Sequence, residues 1–531
     1  NWGGSNPGQT YTLTTNIETV PTNGTLPVGS VVTGVTQAFG STFQTGDAIN
    51  GNPTGQNALN ITDAGNSGNV IATVNNVANI NHTLVAAGGL ANASTYNEAL
   101  YTNVGAETIV KGVGGNVLNI INGNAATVYG SSVATNDSAQ ISLSGAAGQT
   151  INLNVAGAGS ATAAADFSST NAAALVGGFK VVTSGTNNIS LNAAAAGGGV
   201  TSVVITGAGT NKINLSTAGA VSTTKVVTID ASGASANNKI DLGTNFRQGD
   251  IIKGAVLAGG NPITTLGLTL TGLQVIAAGA WSNIQALQLD KASTGSLWLG
   301  TGNTIATVTN LDANNATVAT DMTTLIGANA LTSYVYNTDG TTGAQTYSGL
   351  TLQSSTVPAL NISFAASTAL TAANAGTVAT ALTLDGATAV TLATANASGS
   401  TGNFILAGGL SDNALTTLTV TGTSTGTVNL GTLTSKAQGL TSFDASGVAG
   451  NLAVTFAADD FSSAVTIKGA AGNNAVFIGA DVNTNAHSVA ASFGNGVVTY
   501  IDPNALHSTS ISVGNGVGNF IGLGNTCLLY T

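Results

Sequence analysis

The sequence predicts an all-β chain, a parallel β-solenoid of β-helix-like stacked coils with room for β-sandwich-like segments. Three observations predict it: strand- and turn-forming residues dominate, charge is scarce, and the chain carries a loose internal repeat. The 531 residues include 71 glycines but only 10 basic and 21 acidic side chains. Thr and Val favour strands because branching at Cβ suits a pleated surface. Gly and Asn favour tight turns with positive φ. Glu18, Glu98 and Glu107 are the only glutamates and Arg247 the only arginine, so long charged helices are not expected. Ala-rich stretches such as 161–165 leave room for a short one.

The same figures exclude function classes. With 10 basic residues and a net charge of −11, the chain cannot line a phosphate-tracking groove, and no nucleic-acid partner is expected. No run approaches the roughly 18 apolar residues of a bilayer-spanning helix, so no membrane span is expected. Disorder is disfavoured because 43% of the residues are hydrophobic.

The repeat is clearest in the middle of the chain. Val181-Val182-Thr183 is followed by Gly185-Thr186-Asn187-Asn188-Ile189-Ser190-Leu191. Val203-Val204-Ile205 leads to Gly209-Thr210-Asn211-Lys212-Ile213-Asn214-Leu215, and Val226-Val227-Thr228-Ile229 to Asn237-Asn238-Lys239-Ile240-Asp241-Leu242. The pattern returns at Leu418-Thr419-Val420-Thr421, Leu440-Thr441-Ser442-Phe443 and Val465-Thr466-Ile467. Each unit of roughly 22–27 residues reads as strand, turn, strand, turn, and its apolar face can be buried only by stacking on its neighbours. Alternation such as Ile151-Asn152-Leu153-Asn154 puts aliphatic residues on one face and amides on the other. Asn and Thr at equivalent positions of stacked coils should then hydrogen-bond along the stack. Working units are 1–130, an N-terminal β domain; 131–300, solenoid repeats interrupted near 240–300 by Arg247, Trp281 and Trp298; and 301–531, C-terminal repeats.

The turns carry a family resemblance. Gly46-Asp47-Ala48-Ile49-Asn50-Gly51 and Gly249-Asp250-Ile251-Ile252-Lys253-Gly254 share a Gly-Asp-x-Ile-x-Gly pattern. The run from Gly469 through Asn473-Asn474 to Gly479 is similar to the glycine-rich nonapeptide repeat that binds calcium in RTX proteins. Leu440-Thr441-Ser442-Phe443-Asp444-Ala445-Ser446-Gly447-Val448, leading into Val465-Thr466-Ile467-Lys468-Gly469, resembles a stretch of Caulobacter-type bacterial surface-layer (S-layer) proteins. Tyr11-Thr12-Leu13-Thr14-Thr15 resembles the start of their lattice-forming part. The resemblance implies an extracellular, type I secreted, calcium-dependent subunit that contacts copies of itself on a bacterial cell surface. The family's lipopolysaccharide-binding anchor has no counterpart here, so a fragment or processed form is expected.

The candidate calcium ligands are Asp47 and Asp250 in the Gly-Asp turns, Asp230 and Asp241 on one repeat, and Asp481 after the glycine-rich turn. Calcium needs several hard oxygen ligands, and here most of the family's turn Asp positions are Asn, which loses the charge. The alternative reading is that these Asp residues cap turns through backbone N–H groups. Asp459-Asp460 is the only adjacent acid pair and reads as a solvated loop.

No enzyme is expected. His82, His487 and His507 are scattered without zinc-ligand spacing. The clustered carboxylates with Arg or Lys of a polysaccharide-cleaving groove are absent from the pattern. Cys527 is alone, which rules out an intrachain disulfide framework. Cys527-Leu528-Leu529-Tyr530-Thr531 matches the translation of a sequencing-library adaptor, so the natural chain is expected to depart from this sequence after about Asn525. The function expected is an extracellular structural subunit of an S-layer lattice. The alternative is a subunit of an extracellular filament, adhesin or phage-type fibre.

Overall fold

The computed structural model describes residues 8–529 except 55, 66–67, 86–93, 113–116, 133–137, 145–147, 170–175, 194–198, 257–262, 291–292, 294, 301, 314–321, 339–344, 354–356, 366–375, 395–400, 436–438, 459–460, 462–463, 480–487, 504–506 and 525. It is all-β, with parallel strands stacked as a β-solenoid of about 16 turns. Among the described strand pairs, one is antiparallel: Phe520–Leu523 with Thr526–Leu529. The room left for β-sandwich-like segments is therefore not used among the described residues. No helix forms at 161–165, where bends lead directly into the strand Ala165–Ser168. A helix there would withdraw the rung that pairs with Ser138–Leu143 and Thr186–Asn192.

The chain divides into two compact units, Asn1–Leu266 with Ala280–Ile284, and Gly267–Gly279 with Gln285–Thr531. In the first unit, one parallel ladder begins at Thr10–Thr12 and ends at Trp281–Ser282, and a second passes from Thr95–Asn97 to Thr264–Leu268. A short third ladder joins Thr19–Val20, Ala48–Asn50, Thr73–Asn75 and Tyr101–Thr102, so the first coils have three sides. One rung position, followed through the first ladder, visits Val31, Ala58, Asn79, Ala106, Val128, Asn152, Lys180, Val204, Asp230 and Lys253. The steps span 21 to 28 residues. In the second unit the corresponding path is Ala286, Thr307, Ser333, Asn361, Thr391, Thr419, Asp444, Lys468, Ser492 and Ser512, in steps of 20 to 30 residues. The spread is wider than the expected 22–27 because the turns between strands absorb insertions without disturbing the register.

Burial alternates strictly along many strands, as in Val31–Thr36, Ser138–Leu143 and Thr417–Gly422. Inward residues stack into columns, and one column runs Val32, Leu59, Ile80, Glu107, Tyr129, Leu153, Val181, Ile205. In the second unit the largely aliphatic core contains an aromatic cluster: Tyr336 lies flat on Phe364 with centroids 4.7 Å apart, and Tyr347 meets Phe364 edge-on. The expected amide ladders are present. Asn81 donates to Asn60 on the solvent side at 2.9 Å. Inside, Asn187 donates to Asn211 (3.0 Å) and Asn211 to Asn238 (2.7 Å), three rungs of one column. The first ladder ends within the stretch 240–300, at Trp281–Ser282, and the boundaries of the two compact units fall in the same stretch. Arg247 sits in a turn, while Trp281 is buried edge-on against Phe246 at 5.3 Å.

Candidate functional site

The two Gly-Asp turns are the same structure built twice. Gly46 and Gly249 take φ of 101° and 99°, values that favour glycine. Asp47 accepts from the backbone N–H of Gln44 and of Glu18, and Asp250 from those of Arg247 and Val227. In each turn one carboxylate oxygen closes the turn and the other ties it to the preceding coil. Burial pushes both carboxyls above their usual range against the pull of these N–H donors.

Asp230 and Asp241 lie on different ladders of one coil and are not brought together. Asp241 caps its own strand end by accepting from Gly243 N–H at 3.0 Å. Asp230 belongs to a device the sequence carries twice, Ile229-Asp230-Ala231-Ser232-Gly233 and Phe443-Asp444-Ala445-Ser446-Gly447. Each Asp accepts from the N–H and hydroxyl of the serine two residues on, and from a lysine one coil later: Lys253 at 3.3 Å or Lys468 at 2.9 Å. Burial raises these carboxyls, and the serine and lysine hydrogen bonds outweigh it, leaving both below their usual range. The lysines are 47% and 50% exposed, so solvent screens both pairs. Replacing Lys253 or Lys468 by Met should cost about 0.2–1 kcal/mol, a loss that denaturant titration at low and high salt would show shrinking. Asp481, His487 and Asp459-Asp460 lie outside the described residues. Among the described residues no group of three His, Cys, Asp or Glu side chains is placed to hold a metal ion.

The densest gathering of titratable groups is inside the first unit, and sequence reasoning missed it. Asp63, His82, Glu98 and Glu107 are all at least 98% buried, with Tyr96, Tyr101 and Tyr129 around them. His82 Nε2 lies 3.4 Å from Glu107 Oε2, one coil on. Tyr129 donates to Glu98 at 2.9 Å, and Tyr96 to Asp63 at 2.9 Å. Asp63 also accepts from Ser94 and from Gly65 N–H. Burial pushes His82 down to about 4 and Glu107 up to about 7. It also raises Glu98, with the neighbouring Glu107 carboxyl adding to the effect. Between about pH 4 and 7 these shifts favour a His82–Glu107 hydrogen bond between uncharged groups over an ion pair. The signal was present as strand parity. In Asn79–Leu84 the alternation puts His82 on the side of Ile80 and Leu84, and in Ala106–Gly112 it puts Glu107 with Ile109.

Two hollows open at the surface, one against Thr10–Thr22 and one against Thr509–Leu523, and Glu18 is the one carboxylate lining them. Neither joins an acid to a base or nucleophile in a catalytic arrangement. No family model, no curated protein and no solved structure matches the chain.

Proposed function

We propose that this chain is an extracellular structural protein of the bacterial cell surface. It self-assembles with copies of itself into an S-layer-type lattice and is assisted by calcium. The reading is supported by how the few charges are used. Among the described residues, Asp47 and Asp250 hold turns, Asp230 and Asp444 pair with lysines of the same chain, and Glu98 and Glu107 are buried. The outer faces carry mostly amides, hydroxyls and methyls with a few exposed charges such as Lys180, Lys212 and Lys225, so much of each face can meet another without desolvating charge. Exposed apolar side chains such as Phe39, Val182 and Trp298 add contact area. The calcium part rests on the resemblance and on the partial exposure of the Asp230 and Asp444 carboxylates, about a quarter of each reaching solvent.

Electron microscopy of the purified protein tests it, with calcium and after chelation. Planar arrays that dissolve on chelation are expected. Monomers under both conditions would overturn the lattice reading, and helical polymers or extended trimers would favour the filament reading. Chelation that leaves both assembly and melting temperature unchanged removes calcium alone.

A further inference from the structure

In the inward columns of the first unit Glu107 stands between Ile80 and Tyr129, and His82 between Ile61 and Ile109. Glu98 reaches the same interior from the 3-10 turn Glu98–Leu100, held in place by Asn97, which accepts from Ala99 N–H. The groups facing this interior are Asp63 from Ala58–Asp63, His82 from Asn79–Leu84, Tyr96 from Thr95–Asn97, and Tyr101 from Tyr101–Thr102. Glu107 from Ala106–Gly112 and Tyr129 from Val128–Ser131 complete the set. No described lysine or arginine bonds to it. Four fully buried atoms have no hydrogen-bond partner among the described residues: His82 Nδ1, Glu98 Oε1, Tyr101 OH and Glu107 Oε1. The Glu107 carboxyl is also near enough to Glu98 to push it further above its usual range, so two negative charges side by side in this interior are disfavoured.

We propose that the described parts of these coils between Asn79 and Ser131 are a proton-locked core: they fold with Glu98 and Glu107 holding protons and His82 neutral, and they loosen when the carboxyl protons leave. A carboxyl held protonated when folded stabilises fully below its unfolded value of 4.5, and this is lost as pH rises through its folded value, about 7 for Glu107 and well above the usual carboxyl range for Glu98. His82 works the other way. It is neutral when folded but protonates near 6.5 when unfolded, so stability falls as pH drops from 6.5 towards 4. Between pH 4.5 and 6.5 the folded state therefore holds about one more proton than the unfolded state, and near neutrality, where unfolded His82 and folded Glu107 both titrate, the excess stays between one and two. The pair titrates as a unit, so the steps belong to both carboxyls together.

The test compares opening of the first unit from pH 5 to pH 9 in the full chain and in an E98Q/E107Q double variant, whose amides mimic protonated carboxyls. In the natural chain the opening constant should rise about tenfold per pH unit or more across neutrality. In the double variant this rise should vanish, leaving only the opposite slope from His82 at acidic pH. Equal alkaline slopes in the two proteins would overturn the proposal. A His82→Asn variant separates it from a charged His82–Glu107 pair: the alkaline loss should persist, and its disappearance would favour the ion pair. Should the double variant fail to fold, hydrogen exchange of the natural chain, corrected for intrinsic rates, decides. Protection lost with rising pH at 79–131 but kept in the second unit supports the proposal, and uniform loss refutes it.

Discussion

Valine substituted for Gly130 is expected to abolish cooperative folding of the first unit. Gly130 lies in Val128–Ser131 and pairs with Asn154 in Gln149–Ala156. A Cβ there would sit 1.9 Å from the carbonyl oxygen of Asn154 and 2.9 Å from its carbonyl carbon. Both are backbone atoms of a strand fixed by ladders on its two sides, against Val128–Ser131 and against Val176–Ser184. Neither strand can retreat without breaking a run of hydrogen bonds. The cost should exceed about 4 kcal/mol, in the range of the most damaging single substitutions. Denaturant unfolding followed by circular dichroism checks it: loss of the first unit's transition with the second unit's preserved is the expected outcome. Gly522→Ala is the control. There the new methyl meets nothing closer than a Phe520 ring carbon at 3.6 Å, so the change should stay within about 0.5 kcal/mol.

Asn211→Ala should cost roughly 3 kcal/mol, because it empties the middle rung of the buried amide column. The Asn211 amide nitrogen donates to Thr183 Oγ1 (3.1 Å), to the Gly209 carbonyl (2.7 Å) and to Asn238 Oδ1 (2.7 Å), and its oxygen accepts from Asn187. Removing it leaves several buried polar atoms short of a partner, at about 1–3 kcal/mol for each one left unsatisfied. Asn211→Asp is expected to be worse despite its matching shape. A carboxylate cannot donate, so it would turn oxygens towards the Gly209 carbonyl and the Asn238 oxygen while burying a charge. Melting temperatures in the order natural chain, Ala, Asp check this, and an Asp variant as stable as the natural chain would refute it.

That comparison also explains why asparagine stands at positions where the resemblance implies aspartate. An amide both donates and accepts, so identical side chains can stack coil upon coil at 2.7–3.0 Å. A column of carboxylates would repel itself unless cations lay between the rungs. The substitution that weakens the calcium reading at Asn187 thus stabilises the solenoid by itself.

Much of the architecture was legible in the chain. Val181 and Val203 fall in successive strands of one ladder, Val176–Ser184 and Ser202–Gly207, and Val226 just before the next, Thr228–Ala234, while the alternation at Ile151–Asn154 gives the true inward and outward sides. The Gly-Asp turns were also legible as turns, since Gly46 and Gly249 adopt the left-handed backbone that glycine favours. The partners of Asp47 and Asp250 were not. Their second backbone donors, Glu18 and Val227, lie 29 and 23 residues away, one coil back.

What the sequence determined by itself is periodicity: the strand length, the turn chemistry, the side of the sheet each residue occupies, and so the stacked parallel class of fold. These are local properties, set by φ preferences and by a side-chain period of two. What only the tertiary structure decided is who sits above whom. Coil lengths vary between 20 and 30 residues, so no fixed period converts sequence distance into contact. The meeting of His82 with Glu107, of Glu98 with Tyr129, and of Asp230 with Lys253 each depends on the insertions in the intervening turns. Burial then makes those meetings consequential, because carboxyls and an imidazole removed from water must exchange protons or find donors, and only the stack determines which groups are removed.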